Sequence, residues 1–300
     1  MSTDHGTVGD DFRLGYRYQT HWDVPMASAF FCGEVGAGLF LVSLLAGSTA
    51  GMTLGLAVTG VGKSFFHLTH MGVPSRSWRA ILRPDRSWTS RGLIAIIVLC
   101  GCGGLYIVDR AVGGVLVPEA RSGLAALAAA AALVVSSYQG LAMAHSSAIA
   151  LWSTAAVPLA GLAYGLASGA ALLLVLPGGA HDGTLGGVPL AAIAIALLAA
   201  VAVTLFTHLY TVYRGSPAGR LSVTLLVKTR FAPAFHGVVV GAGLVLPLII
   251  LGLDGGAIAR AIAATGVLAG FYAFRVLIFK AGVYAPVMTF GLSLSRRLRA

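Results

Sequence analysis

An acid inside an apolar run is the first residue of this chain whose type and place suggest chemistry. Glu34 lies about ten residues into the stretch 25–47, and a carboxyl at such depth in hydrocarbon is costly and usually functional. Two uses fit it: a protonated acid bonded to a backbone carbonyl, or a proton-relay acid. The histidines form a second group. His21, His67, His70, His145, His208 and His236 fall at or near the ends of apolar runs on one side, with His181 on the other and His5 in the N-terminal tail. Singly, each reads as an interfacial residue. With Trp22, Asp23, Lys63, Tyr138 and Gln139 they crowd one membrane face. Such a set offers donors for two carbonyl oxygens, a group that titrates near neutral pH, and an apolar surround, which is what a quinone needs. Two other chemistries stay open. His67 facing His208 or His236 would make a b-type haem anchor, and a solute transporter would show helices broken near mid-membrane. Cys32, Cys100 and Cys102 lack metal-ligand spacing, so no iron–sulfur cluster is expected in this chain.

The elements that must position these groups are membrane helices. Of 300 residues 57% are apolar and only 10% charged, with 40 glycines; the mean hydropathy is +0.88. A soluble domain carries about 25% charged residues, so this composition excludes a soluble enzyme, a disordered chain and, despite a net charge of +10, a nucleic-acid binder. Residues Met1 to Thr20 are polar and lack the apolar core of a secretory signal. Eight apolar stretches are each long enough to span a bilayer: 25–47, 49–68, 92–113, 122–143, 149–176, 188–212, 233–253 and 257–281. They are solid runs without the alternation of a barrel strand. Eight spans place both termini on one side. Seventeen of the twenty Lys and Arg belong to that side, Lys63, Arg275 and Lys280 being taken as helix-end residues, and only Arg110, Arg121 and Arg260 to the other. Both termini are therefore expected in the cytoplasm. The expected fold is an all-α integral membrane protein: a segment 1–24, a four-helix bundle 25–143, a second four-helix bundle 149–281, and a basic tail 282–300.

The loop 69–91 spaces Arg76, Arg79, Arg83 and Arg86 along one helical face, with Trp78 and Trp88 beside them. It suits a headgroup-level amphipathic segment, a docking surface for a soluble partner or for an anionic ligand, or both. A faint internal repeat relates the two halves. Phe65-Phe66-His67-Leu68, then Gly72-Val73-Pro74-Ser75-Arg76, is echoed by Phe206-Thr207-His208-Leu209, then Gly215-Ser216-Pro217 and Arg220; Val24-Pro25 is echoed by Val157-Pro158. Glu34 and Tyr138-Gln139 have no echo, which points to the first bundle as the place of the site.

Several segments resemble the NrfD/polysulfide-reductase membrane subunits and the related dimethyl-sulfoxide-reductase anchors. These are the glycine-rich run Phe30-Phe31-Cys32-Gly33-Glu34-Val35-Gly36-Ala37-Gly38, the stretch His67-Leu68, Gly72-Val73-Pro74, Trp78-Arg79 and Ser87-Trp88-Thr89-Ser90-Arg91, Tyr138-Gln139-Gly140, and Leu151-Trp152 through Pro158 with Ser168-Gly169. Thr69-His70-Met71 interrupts the family's usual spacing. The resemblance covers about residues 21 to 175. It implies a subunit of the bacterial inner membrane, without haem or cluster, that exchanges electrons between menaquinone or ubiquinone and an iron–sulfur subunit serving a molybdopterin catalytic subunit. It further implies that His21 and Tyr138 meet the quinone carbonyls, that Gly33 lets the ring approach the backbone, and that Glu34 joins a proton route.

Overall fold

Continuous apolar sequence in lipid has one way to satisfy its backbone, by hydrogen bonds within a helix, and helices dominate the computed structural model, which describes residues 16–177, 183–253 and 256–285. In chain order they are α1 (Val24–Leu45), α2 (49–70), α3 (Trp88–Ala111), α4 (Pro118–Ala144), α5 (Ala156–Leu173), α6 (Leu190–Gly215), the shorter α7 (Pro217–Val227), α8 (Ala232–Gly252) and α9 (Ala257–Lys280). Seven of them, α1, α3 to α6, α8 and α9, are long and apolar enough to cross a membrane. The chain is a multi-pass membrane protein whose helices contact lipid. The expected stretches fall on these helices with one clear displacement. The run expected from residue 149 begins as a helix only at Ala156, because 149–155 is a turn that folds Trp152 into the core.

Helix α2 is continuous but not regular. Its middle, Val58–Lys63, is π-helical between the α-helical pieces Thr49–Ala57 and Ser64–His70. Two glycines and three β-branched residues there are weak helix formers, and Gly36 and Gly55 bring α1 and α2 too close for any side chain between them. A wide turn shifts the phase of everything after it, and such bulges recur at functional sites. In α8 the π segment Phe235–Val245 leads up to Pro247, which supplies no N–H and crowds the carbonyl four residues back.

Helix α1 is the centre of the molecule, with sixteen of its twenty-two residues buried. It packs against α2, α4, α5 and α9; α3 joins α2 to α4, while α6 and α8 join α5 to α9. Two core clusters result. One, around Phe40, Met52, Leu99 and Val135, draws on α1 to α4; the other, around Tyr164, Leu198, Val239 and Phe271, draws on α1, α5, α6, α8 and α9. Where α1 meets α5, a methyl group at Gly38 would overlap the Gly165 carbonyl, and one at Gly169 would overlap the Gly38 backbone. Small residues at such crossings are how lipid-immersed helices reach dispersion contact.

Short strands pin one end. β1 (Arg17–Tyr18) pairs antiparallel with β4 (Val283–Tyr284), and Ile149 bridges to Tyr284. Gln19 Nε2 donates to the carbonyls of Trp22 (2.7 Å) and Phe279 (2.8 Å). The segment before α1, the α4–α5 turn and the segment after α9 thus share one end, and Asp23 and His70 at 3.5 Å bring the end of α2 there too. Arg121 pairs with Asp109 at 2.7 Å across the α3–α4 connection, and Arg110 bonds Gly47 beyond α1. Between α5 and α6, β2 (Thr184–Leu185) and β3 (Val188–Pro189) form a hairpin, with Gly186 and Gly187 at φ of 57° and 82° supplying its turn.

Candidate functional site

Beside the end of α2 lies a cavity of about 500 Å³ enclosed by α2, α3, α4 and the short 3₁₀ helix Pro74–Leu82, a size common for small-molecule sites. Its wall is mostly apolar, with Leu68, Trp78, Ile81, Leu93 and Ile97 prominent. Lys63, His67 and Tyr138 interrupt that wall. The π turn in α2 sets Lys63 toward α1. There the ammonium donates to Gln139 Oε1 and to the Ala29 carbonyl at 3.4 Å, and Gln139 Nε2 donates to the Phe30 carbonyl at 3.1 Å. The charge also lies 5.2 Å from the Tyr138 ring centroid and 5.6 Å from that of Phe30. Of the three donors of an ammonium, Gln139 and the Ala29 carbonyl take two. His67 Nδ1 is buried without a partner. Tyr138 is seated by Gly92, where any side chain would collide with the phenol ring.

The 3₁₀ helix closes this cavity because the Ser-Trp-Thr-Ser-Arg segment holds it down. Ser87 caps α3 by accepting from Ser90 N–H at 3.3 Å, and the Ser90 hydroxyl donates to the Ala80 carbonyl. Arg91 donates to the carbonyls of Pro84 and Asp85, and stacks on Trp88 at 4.4 Å. At three residues per turn, Arg76 and Arg79 lie on one side of the 3₁₀ helix. Both are exposed, as are Arg83 and Arg86, the last paired with neighbouring Asp85 at 3.0 Å.

Deeper in the protein, Glu34 is not alone. Arg275 of α9 grips it through Nε to Oε2 at 2.8 Å and Nη2 to Oε1 at 2.6 Å, and both side chains are fully buried. Gly161 makes the room, since a Cβ there would stand 2.5 Å from Glu34 Oε1 and 2.8 Å from Arg275 Nη2. Arg275 was expected at a helix end and instead serves as the counter-charge of the buried acid. Lys63, counted with it, is also inside the protein, at 2% exposure. A buried carboxylate needs a partner charge, and that rule is the signal by which Arg275 could have been found.

The expected site residues separate into groups. Lys63, His67 and Tyr138 come together at the cavity, while Gln139 is fully buried behind Lys63 and does not line it. Gly33 admits the Lys63 stem and the Gln139 amide beside α1, so that protein atoms occupy the space over its backbone. Asp23 is exposed and faces His70. Trp22 turns the other way, stacking on Trp152 at 5.1 Å and meeting Phe279 edge-on. His21 is exposed at the approach to α1 and is not among the residues lining the cavity. The histidines do not form one crowd. His145 and His236 are exposed, whereas His208 is fully buried in α6 and bonded to Thr154. His67 and His208 stand on helices that are not close packing neighbours. His5 and His181 lie outside the described residues. No family model matches the chain, and no curated protein matches it.

Proposed function

We propose that the chain is an eight-helix subunit of the bacterial cytoplasmic membrane that binds a quinone in the α2–α3–α4 cavity and exchanges electrons with an iron–sulfur partner. The cavity carries this reading. A flat ring with two carbonyl oxygens and an apolar tail matches an apolar cleft interrupted by an ammonium, an imidazole and a phenol. A quinone supplies a two-electron, two-proton couple. The residues of this chain bind it, orient it and handle the protons: Lys63 and Tyr138 donate to ring oxygens, and His67, with its free ring nitrogen, takes up and returns protons.

Helix α2 is the eighth span. Its sixteen α-helical residues rise about 24 Å at 1.5 Å each, and the six of the π turn extend this toward the roughly 30 Å of a hydrocarbon core. The neighbour relations support two related four-helix bundles, α1–α4 and α5, α6, α8, α9. They meet at α1 and α5, and the α4–α5 contact mirrors α9–α1. The end bearing the exposed arginines then faces the cytoplasm, and Arg76, Arg79, Arg83 and Arg86 are the surface on which an iron–sulfur subunit docks, with a molybdopterin subunit beyond it. The resemblance to the NrfD/polysulfide-reductase anchors supports the same assignment through its short motifs.

Trp78 in the cavity wall is a reporter for the test. Menadione added to the full chain in nanodiscs should quench tryptophan fluorescence saturably. Trp78→Phe should remove most of the saturable part, and Lys63→Met and Tyr138→Phe should each weaken binding about tenfold, the worth of one charge-assisted or buried hydrogen bond. Unchanged affinity in both would remove the quinone from this cavity.

A further inference from the structure

A second set of buried polar groups lies outside the cavity, and binding a ring there gives it no task. His208 in α6 is fully buried; its Nδ1 shares a 3.0 Å hydrogen bond with Thr154 Oγ1, and its Nε2 has no partner. Tyr164 Oη and Ser168 Oγ on α5, and Arg275 Nη1 on α9, are likewise buried and unpaired. These atoms are not scattered. Tyr164 stacks on Phe271 and Phe274 at 4.4 and 5.3 Å, the two rings over which the Arg275 guanidinium lies at 5.4 and 5.7 Å, and α5 packs on both α6 and α9. Arg275 holds Glu34, and the Lys63 side chain at the cavity wall packs against Gly33, the residue before Glu34 on α1. At the other extreme Thr154 is half-buried between exposed Ser153 and Ala155, in the turn between α4 and α5. That turn is at the same end as the chain segments before α1 and after α9. From that surface inward, buried polar side chains thus occur on α6, α5 and α9 as far as Glu34, one residue from the glycine against which Lys63 packs.

Buried polar atoms without partners cost stability, and native proteins keep few of them. Four on the neighbouring helices α5, α6 and α9 are the lining expected of a path that ordered water completes. The chemistry of the set is that of proton transfer. An imidazole accepts on one nitrogen while releasing from the other, and the Thr154 hydroxyl can accept and donate at once. Arg275 stays protonated, so it carries nothing and instead orients Glu34. Gly161 keeps open the space beside the carboxylate.

We infer that Thr154 and His208 are the mouth of a proton route that passes Tyr164 and Arg275 to Glu34 and supplies the Lys63 side of the cavity. Protons step between Thr154, His208, Tyr164 and Glu34 through ordered water while Arg275 keeps its own. The Lys63 ammonium gives one proton to a ring oxygen and the resulting amine takes one back from Glu34, so each gain is another atom's loss. The last step rests on the cavity being a quinone site; the route up to Glu34 does not.

The test separates the two. The full chain, carrying ¹³C-labelled histidine, is moved into D₂O in nanodiscs, and the ring band of His208, identified by its loss in His208→Asn, is followed by infrared spectroscopy. Exchange within minutes, slowed at least tenfold by the isosteric Thr154→Val, is the expected result. A ring that stays unexchanged for hours, or exchange as fast in Thr154→Val as in the parent, overturns the route. In the intact complex, turnover of menadiol should fall at least tenfold in kcat in Thr154→Val with KM unchanged. Slowed exchange with normal turnover overturns delivery to the cavity. Absence of menadiol turnover in the parent, with exchange intact, overturns the quinone reading and leaves the route standing.

Discussion

Removing Arg275 or its partner Glu34 should cost more than truncating any other polar side chain among the described residues, and restoring charge balance should recover most of the loss. The pair joins α1 to α9 across 241 residues of sequence by two hydrogen bonds of 2.8 and 2.6 Å, with no exposed surface on either side chain. Arg275→Met keeps an unbranched apolar side chain of related shape but deletes the charge, its donors and the guanidinium's contacts with the Phe271 and Phe274 rings, at 5.4 and 5.7 Å from its carbon. Glu34 is then a buried carboxylate without a counter-ion, a state that costs about 3–5 kcal/mol. Glu34→Met leaves the reverse defect and should cost a similar amount. The double variant leaves no charge to solvate, and replacing both members of a buried pair with apolar residues of similar size is often neutral. With each single variant losing about 3–5 kcal/mol and the double close to neutral, a coupling energy of about 6–10 kcal/mol in favour of the double variant follows. Unfolding the four proteins with a rising mole fraction of SDS in mixed micelles, followed by far-ultraviolet circular dichroism, completes the cycle. Additive losses, with coupling below about 0.5 kcal/mol, would mean that the charges are solvated independently and that the pair does not hold α1 to α9.

Two further substitutions probe the frame around the site. Gly38→Ala places a methyl group against the Gly165 backbone and should cost about 1–3 kcal/mol by prising α1 from α5, whereas Gly101→Ala, facing open space on α3, should be neutral or stabilising by up to about 1 kcal/mol; thermal unfolding of the two side by side checks this, and equal losses would contradict the close crossing. Gln19→Ala deletes the acceptor of the Trp22 N–H, at 3.0 Å, and the donor to Phe279. Exchange of the Trp22 amide should then rise about tenfold, the effect of one net hydrogen bond, while the amides of α1 stay protected.

The spans were legible in the sequence because hydrocarbon thickness sets a length that composition records directly. Glu34 was legible for the opposite reason, as the one acid in a run with no water to hold it. Its partner was not. Arg275 stands five residues before Lys280 at the end of α9, where a long cationic side chain reads as one reaching for the headgroups, and only tertiary packing brings it beneath a carboxylate from the other end of the chain. The histidines fail to cluster for a related reason. Their heights along the helices are recorded in the sequence, but their directions are not, since a helix with lipid on one face and protein on the other is apolar all round and shows no hydrophobic period to fix its rotation. The rotation is recorded instead in the small residues. Gly161, Gly165 and Gly169 recur every fourth position on α5, and each is a point where a neighbour's backbone or buried charge comes too close for a side chain. That stripe turns α5 toward α1. Tyr164 and Ser168 each precede a glycine of the stripe and are drawn inward with it. The same residues that let the helices touch therefore decide which polar groups are carried into the interior. In a lipid-immersed bundle, functional polar side chains are best sought beside the glycine stripe, before the ends of the spans are considered.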